Sequence, residues 1–342
     1  MMLRGEIRMS HRFWVNVMAA SMYIAWLAPA RVAGQASAPA RKSASVPAKA
    51  WTLPRTPDGQ PDLGGVWAIT VLTPLERPRE LGGKEFLTEE EAAQFVRQTL
   101  DDGDRDKRAA TAEADLNRNY NEFWRERGNV VVPSRHTSLI VDPRDGRIPP
   151  FTPEAQQKRA AKTAAQRVPG GPEDLALRLR CITRGLPMVP TPNNNFFEIV
   201  QSPEYVVILQ EMMYEARVIP LDGRPHLDPK VRAYMGDARG HWEGDTLVIE
   251  TTNFFGKDDF HNADENLRVT ERLTRTAADS IRYEFTVNDP TAFTRPWSGE
   301  IPFVKSAQQI FDYECHEGNY AMIDILAGAR AEEKKAAAAA LK

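Results

Sequence analysis

From Asn193 to Glu314 apolar and polar residues alternate with a period of two. Phe197 and Ile199 share one face, and Tyr205, Val207 and Leu209 share another. Leu267, Val269 and Leu273 alternate with Arg268, Thr270 and Arg272, while Ile281, Tyr283, Phe285 and Val287 alternate with Arg282, Glu284 and Thr286. Phe311 and Tyr313 give a last short alternation with Asp312 and Glu314. Successive side chains of a strand point to opposite faces, so the pattern predicts half-buried strands. Turn sequences separate them, Pro220-Leu221-Asp222-Gly223 and Glu243-Gly244-Asp245 among them. A first strand is predicted at Val66 to Ile69 and a short one at Thr137 to Val141. Together these predict a mainly β fold: an antiparallel barrel or strongly curved sheet, lipocalin-like in outline.

Between the early and late strands the period lengthens. Thr88 and Glu91 form a capping box ahead of Ala92, Phe95, Val96, Thr99 and Leu100, which lie on one helical face. A second helix is predicted near Ala112 to Arg127, stopped by Gly128. An exposed Ala/Gln/Lys-rich helix follows, ending before Pro169-Gly170-Gly171-Pro172. A helical and loop insertion, about 84–180, thus interrupts the β-rich domain. A final helix from Tyr320 to about Arg330 closes one side or end, and the tail 332–342 is predicted to lack structure.

The N-terminus has its own pattern. Arg4, Arg8 and Arg12 precede or open an apolar run from Phe13 to Leu27, and Val32-Ala33-Gly34 supply small residues after it. That is the make-up of a signal peptide, 1–34, cleaved after Gly34. The run is short of the ~20 residues a membrane span needs, so no span remains after cleavage and the mature chain is periplasmic or secreted. Residues 35–51 are rich in Ala, Ser, Pro and Lys and read as a disordered tether. Residues 52–331 then form a single domain. In an oxidising compartment the two cysteines, Cys181 and Cys315, read as a disulfide; two separate buried thiols are the alternative.

Composition narrows the function classes. The chain has 342 residues and a net charge of −3, enough length for a sizeable core and no basic footprint for nucleic acid. G-x-S-x-G, Walker A and Rossmann fingerprints are absent, so no cofactor is assigned. His226, His241, His261 and His316 lack the spacing of a known ligand motif, and no metal is assigned. Asp102, Asp104, Asp106 and Glu113 match calcium-loop positions, but Lys107 stands where that loop needs Gly, and Arg105 and Arg108 add positive charge. This stretch reads as an exposed charged linker.

Several charged residues are in phase with apolar faces. Glu271 shares a face with Val269 and Leu273, Glu211 with Tyr205, Val207 and Leu209, and Arg217 with Ile219 and Leu221. Lone charges inside a barrel are costly and should pair. Two readings stay open: a structural Arg–Glu bridge, or a polar anchor for a ligand or an acid–base pair. His226 and His316 follow turns or strand ends, where sites are commonly built. Either serves as a base in an enzyme reading, with Glu271 or Asp237 as its partner and Arg217 as an anion clamp; Glu243 is a further partner for His316.

One set of motifs acts together. GQPDLGGVW, TSLIVDPRDGRIPP, RCITRGLPMVP, EIVQSPEYVVILQE, RVIPLDGRPH, HWEGDTLVIETTNF, RYEFTVNDP and YECHEGNY resemble a large family of secreted bacterial proteins found in acidobacteria and some proteobacteria. The resemblance spans about Thr52 to Glu332 and implies export and one continuous unit; it carries over no catalytic residue. Tyr214 stands where similar sequences would have His, which weighs against a metal site there. Gly65-Val66-Trp67 is more weakly similar to the G-x-W that opens lipocalin-like (calycin) barrels, where the Trp plugs the floor. The leading expectation is therefore a barrel binding a small, partly apolar molecule among Trp67, Tyr205, Tyr283 and Phe285, with Arg217 and Glu211 or Glu271 at its polar end. An acid–base hydrolase, lyase or isomerase and a cell-envelope interaction module are the alternatives. The sequence sets no oligomeric state.

Overall fold

The alternating segments become strands that wrap nearly into a barrel. The structure, a computed structural model, describes residues 51–116, 121–126, 128–256 and 265–341. The predicted signal peptide, nearly all of the tether, and His261 lie outside these residues. The strands are β1 (Gly65–Ala68), β2 (Ile140–Asp142), β3 (Phe196–Gln201), β4 (Tyr205–Gln210), β5 (Glu215–Pro220), β6 (Asp237–Glu243), β7 (Thr246–Thr252), β8 (Arg268–Ala277), β9 (Ser280–Asn288) and β10 (Trp297–Lys305). Their order in the sheet is β5-β4-β3-β1-β10-β9-β8-β7-β6, every pair antiparallel, with β2 added beside β10. β1, an early short strand, sits between β3 and the last strand. The helical insertion is therefore a long excursion between β1 and β3.

The inward positions on β8 and β9 are those the alternation marks, with Leu273 and Tyr283 fully buried. β10 lies outside the predicted strands, and its Ile301 and Phe303 are fully buried beside them, as are Leu247 and Ile249 of β7. Phe303 lies between the rings of Phe197 and Tyr283, with centroids 5.3 and 4.9 Å away. The two ends of the sheet, β5 and β6, meet at a seam. A methyl on Gly240 of β6 would come within 2.8 Å of both Ile219 and Leu221, so the missing side chain lets β5 approach.

Four expectations are corrected. On β4 the buried residues are Val206, Ile208 and Gln210, so Tyr205, Val207 and Leu209 form the outer face. The run YVVIL is apolar on both faces, and alternation alone could not choose between them. The segment from Phe311 to Glu314 is not a strand, and Phe311 is exposed. Its nearest strand in sequence, β10, is already flanked by β1 and β9. The helix expected over Ala112 to Arg127 is, among the described residues, α2 (Ala112–Leu116) and one separate turn at Glu122–Trp124. The last helix, α4 (Tyr320–Ala340), runs through the tail expected to lack structure. Alanine is the strongest helix former, and the five consecutive alanines carry the helix on without a core to pack against. The other helices stand where expected: α1 (Glu89–Asp102), with both arms of the Thr88–Glu91 capping box formed, and α3 (Pro153–Arg167), capped by Thr152.

Candidate functional site

The strand directions give the barrel two different ends. At one end lie the hairpin turns β3–β4, β6–β7 and β8–β9 and the start of β1. Trp67 is fully buried there and its indole N–H donates to the carbonyl of Leu63 at 2.8 Å. The Arg275 guanidinium lies 5.5 Å from the Trp67 ring and donates to the carbonyls of Asp62, Ala277 and Ala278. The Gln201 amide accepts from Leu63 N at 2.6 Å and donates to Pro61 O at 3.0 Å. Short turns, a buried aromatic and a cation bonded through each of its three nitrogens make this end a closed floor.

The other end is where β3 begins and β4 ends, and a long segment, 175–195, covers it. Leu186 and Met188 of that segment are buried, and Met188 N donates to the Tyr283 hydroxyl at 3.1 Å. Tyr283 in turn donates to Glu271 Oε1 at 2.9 Å, and Glu271 accepts both Arg217 terminal nitrogens at 3.1 and 2.5 Å. Burial, and then the Glu271 carboxylate, hold the Tyr283 hydroxyl protonated far above the usual phenol range. This chain of contacts ties the covering segment to the barrel wall. The Cys181–Cys315 disulfide, with Cα atoms 5.5 Å apart, and the Asn319 amide on Leu179 O tie the same segment to the start of α4. At the strand edge Thr183 donates to Glu215 at 2.6 Å, and burial raises the Glu215 carboxyl.

Between the covering segment, α3 and the ends of β3 and β4 lies a cavity of about 410 Å³. Phe197 and Gln210, paired across β3 and β4, form part of its wall with Met188 and Met212. Arg159 and Arg178 are exposed at its rim and Arg184 is half-buried; no carboxylate lines it. Gln210 is only 5% exposed, and its amide nitrogen has no hydrogen-bond partner. An unpaired buried donor costs about 1–3 kcal/mol. Nearby, Glu211 is buried, held by the Asn194 amide at 3.2 Å through one oxygen and unpaired through the other. Its carboxyl is raised by that burial, against the lowering effect of Asn194.

The candidates from the sequence fall in three places. Arg217 and Glu271 meet, as the structural-bridge reading required, inside the barrel wall rather than on the cavity surface. Trp67, Tyr283 and Phe285 are packed in the core and line no part of the cavity. Tyr205 is on the outer face, its hydroxyl 3.4 Å from an Arg224 nitrogen, and is removed from the proposed interior. Among the histidines, His226 Nδ1 is 3.0 Å from Asp237 Oδ2. Burial raises the Asp237 carboxyl, but donors from Leu227 N, His226 and Arg239 outweigh it and leave it below the usual carboxylate range. That set pins the loop between β5 and β6. His316 is exposed, with no ring partner among the described residues, and Glu243 is engaged by His241 and Arg272. Among the described residues no three His, Cys, Asp or Glu side chains group as a metal site needs.

Sequence reasoning missed Arg159, Arg178, Arg184, Met188 and Gln210. Gln210 carried a signal: a polar residue in phase with Val206 and Ile208, visible once the buried face of β4 is known. The arginines carried none: Arg159 is one of several cations on the exposed helix α3, and Arg178 and Arg184 lie in segment 175–195, which has no period to read.

No family model, curated protein or solved structure matches this chain.

Proposed function

We propose that this protein is exported and binds a small, partly apolar molecule in the cavity at the loop end of its barrel. One observation carries the reading: a cavity of about 410 Å³ at the covered end of the barrel, walled in part by Met188, Phe197, Gln210 and Met212. The volume is of the size that holds small ligands, and Pro187, Met188, Val189, Phe197 and Met212 supply an apolar part of a wall that is otherwise polar. Arg217 and Glu271, once candidates for the ligand's polar end, are committed to each other and to Tyr283. Export is supported by the Cys181–Cys315 disulfide, which suits an oxidising compartment, and by the signal-like N-terminus. No helix among the described residues is long and apolar enough to cross a membrane.

The test is native mass spectrometry of protein purified from the periplasm or medium of its own cell. The expected spectrum shows a defined extra mass in the wild type and its loss in Met188→Trp, which fills the cavity. A bare polypeptide mass, or an extra mass unchanged in Met188→Trp, overturns the reading. The His226–Asp237 pair is the observation that favours an acid–base enzyme instead. Neither residue lines the cavity, and Asp237 is already saturated by loop contacts. Turnover of an ester, lactone or epimerisable substrate, abolished in His226→Ala, would establish that alternative.

A further inference from the structure

We infer that Ser134, His136 and Glu85 form a second functional site, which hydrolyses short-chain esters through an acyl-serine. None of the three lines the cavity, so the inference stands apart from the binding reading. The Ser134 hydroxyl and His136 Nδ1 are 2.8 Å apart, and His136 Nε2 lies 3.8 Å from Glu85 Oε1. A nucleophile within hydrogen-bond reach of a base, with a third group at the base's other nitrogen, is the arrangement that activates a hydroxyl, and such contacts are often long before substrate binds. With the His136 proton on Nε2, toward the carboxylate, Nδ1 accepts from Ser134.

The backbone fixes this geometry. Arg135 N donates to Val132 O at 2.8 Å, closing a turn with Pro133 and Ser134 at its centre. Arg135 follows at φ 58°, a left-handed conformation that a long side chain adopts only where its surroundings hold it, and such positions cluster at functional sites. What holds it is the facing chain: Leu87 N donates to Arg135 O at 2.9 Å and Arg135 Nε to Leu87 O at 3.2 Å. On the other side of His136, Thr137 is buried and its N–H donates to Glu85 O at 3.0 Å. His136 is thus set between two bonded residues, with its ring centroid 4.3 Å from that of Phe86. Ser134 is exposed, so an ester reaches Oγ from solvent. The recess beside His136, bounded by Leu81, Leu87, Phe95 and Val131, has no room for a ligand, which restricts the acyl group to a short one. In the reaction Ser134 Oγ bonds to the ester carbonyl carbon while its proton passes to His136 Nδ1. The adduct then breaks its bond to the alcohol oxygen, which leaves with that proton. Water adds to the acyl-serine, giving a proton to Nδ1, and collapse releases the acid as the proton returns to Ser134 Oγ. Glu85 is a positioning residue, holding the ring and favouring its protonated form.

Hydrolysis of p-nitrophenyl acetate by the full-length mature protein tests this, together with an alkyl fluorophosphonate that modifies activated serines. With Ser134 open to solvent, the enhancement expected over buffer is that of a positioned base, about 10²–10⁴-fold. It should be lost in Ser134→Ala and in His136→Gln, and p-nitrophenyl decanoate should turn over more slowly than the acetate. Peptide mass spectrometry should place the fluorophosphonate adduct on Ser134 in the wild type and find none there in His136→Gln. Ser134 is exposed, so Ser134→Ala keeps the wild-type denaturation midpoint and its loss of turnover is read directly. Glu85→Gln should lower kcat and leave KM unchanged; a raised KM at unchanged kcat overturns the part given to Glu85. Hydrolysis unchanged in Ser134→Ala, or a fluorophosphonate that leaves Ser134 unmodified, overturns the inference.

Discussion

The two ends of this barrel answer the same problem differently. Around Trp67 most buried polar groups are matched within the protein: indole N–H to Leu63 O, Arg275 to Asp62, Ala277 and Ala278 carbonyls, Gln201 to Leu63 and Pro61; Trp242 Nε1, beside the β6–β7 turn at this end, is the exception and has no partner. At the loop end, Gln210 Nε2, Glu211 Oε2 and Arg217 Nε are buried without partners. The first end is built from turns of a few residues and the second from a long covering segment held by a disulfide. The contrast teaches where stability has been maximised and where it has been left incomplete. A buried polar group without a protein partner is met by an ordered water, an ion or a bound molecule, or is strain held in the fold.

Each end yields variants that break or sharpen this comparison. The largest loss should follow Cys181→Ser/Cys315→Ser. Releasing a crosslink between residues 134 apart costs roughly 4–5 kcal/mol in the chain-entropy account. Urea denaturation measures it, and proteolysis should locate new cleavage in 175–195. Next is Trp67→Ala at the closed floor, expected to cost about 3–5 kcal/mol through the cavity it leaves, with no change in ligand affinity. A large affinity loss at unchanged folding would erase the distinction between the ends.

Arg217→Met should cost a similar amount, about 3–5 kcal/mol, because it strands the Glu271 carboxylate in the wall. Arg217→Met/Glu271→Leu should recover most of that loss, as a bridge serving structure alone requires. A double variant no more stable than the single one would assign the pair a further role. The smallest effect on stability belongs to Gln210→Leu, within about 1 kcal/mol of wild type or above it, since it removes an unpaired donor. Ligand affinity should nevertheless fall, opposite to the Trp67 result. Glu211 gives a pH signature at the same end. Its folded carboxyl is raised above the ordinary unfolded value by burial. The protonated form is therefore favoured by folding, and stability is lost as pH rises from the ordinary carboxylate range through the raised value. Glu211→Gln should flatten that decline in denaturation midpoints measured between acid and neutral pH.

Much of the barrel was legible because β8 and β9 alternate with one polar and one apolar face. The inward placement of Val269, Glu271, Leu273, Tyr283 and Phe285 follows from parity alone, as does that of Arg217. The meeting of Arg217 with Glu271 followed from the cost of burying either charge unpaired. β4 misled because Val206, Val207, Ile208 and Leu209 are all apolar, and the choice of face depends on tertiary neighbours. The tail misled because low hydrophobicity was read as lack of structure, where helix propensity decided. The cavity was least legible: its arginines come from α3 and an aperiodic segment, brought together by contacts far apart in sequence, among them Met188 on Tyr283 and Cys181 on Cys315.

The central claim is that the loop end, and not the Trp67 end, holds the ligand. Hydrogen–deuterium exchange tests it directly by comparing natively purified protein with the same protein stripped in denaturant and refolded. The expected result is faster exchange after stripping in 178–195 and 210–215, with Leu63 to Trp67 and Arg275 to Ser280 unchanged. Exchange altered at the Trp67 end, or identical in both preparations, would contradict it.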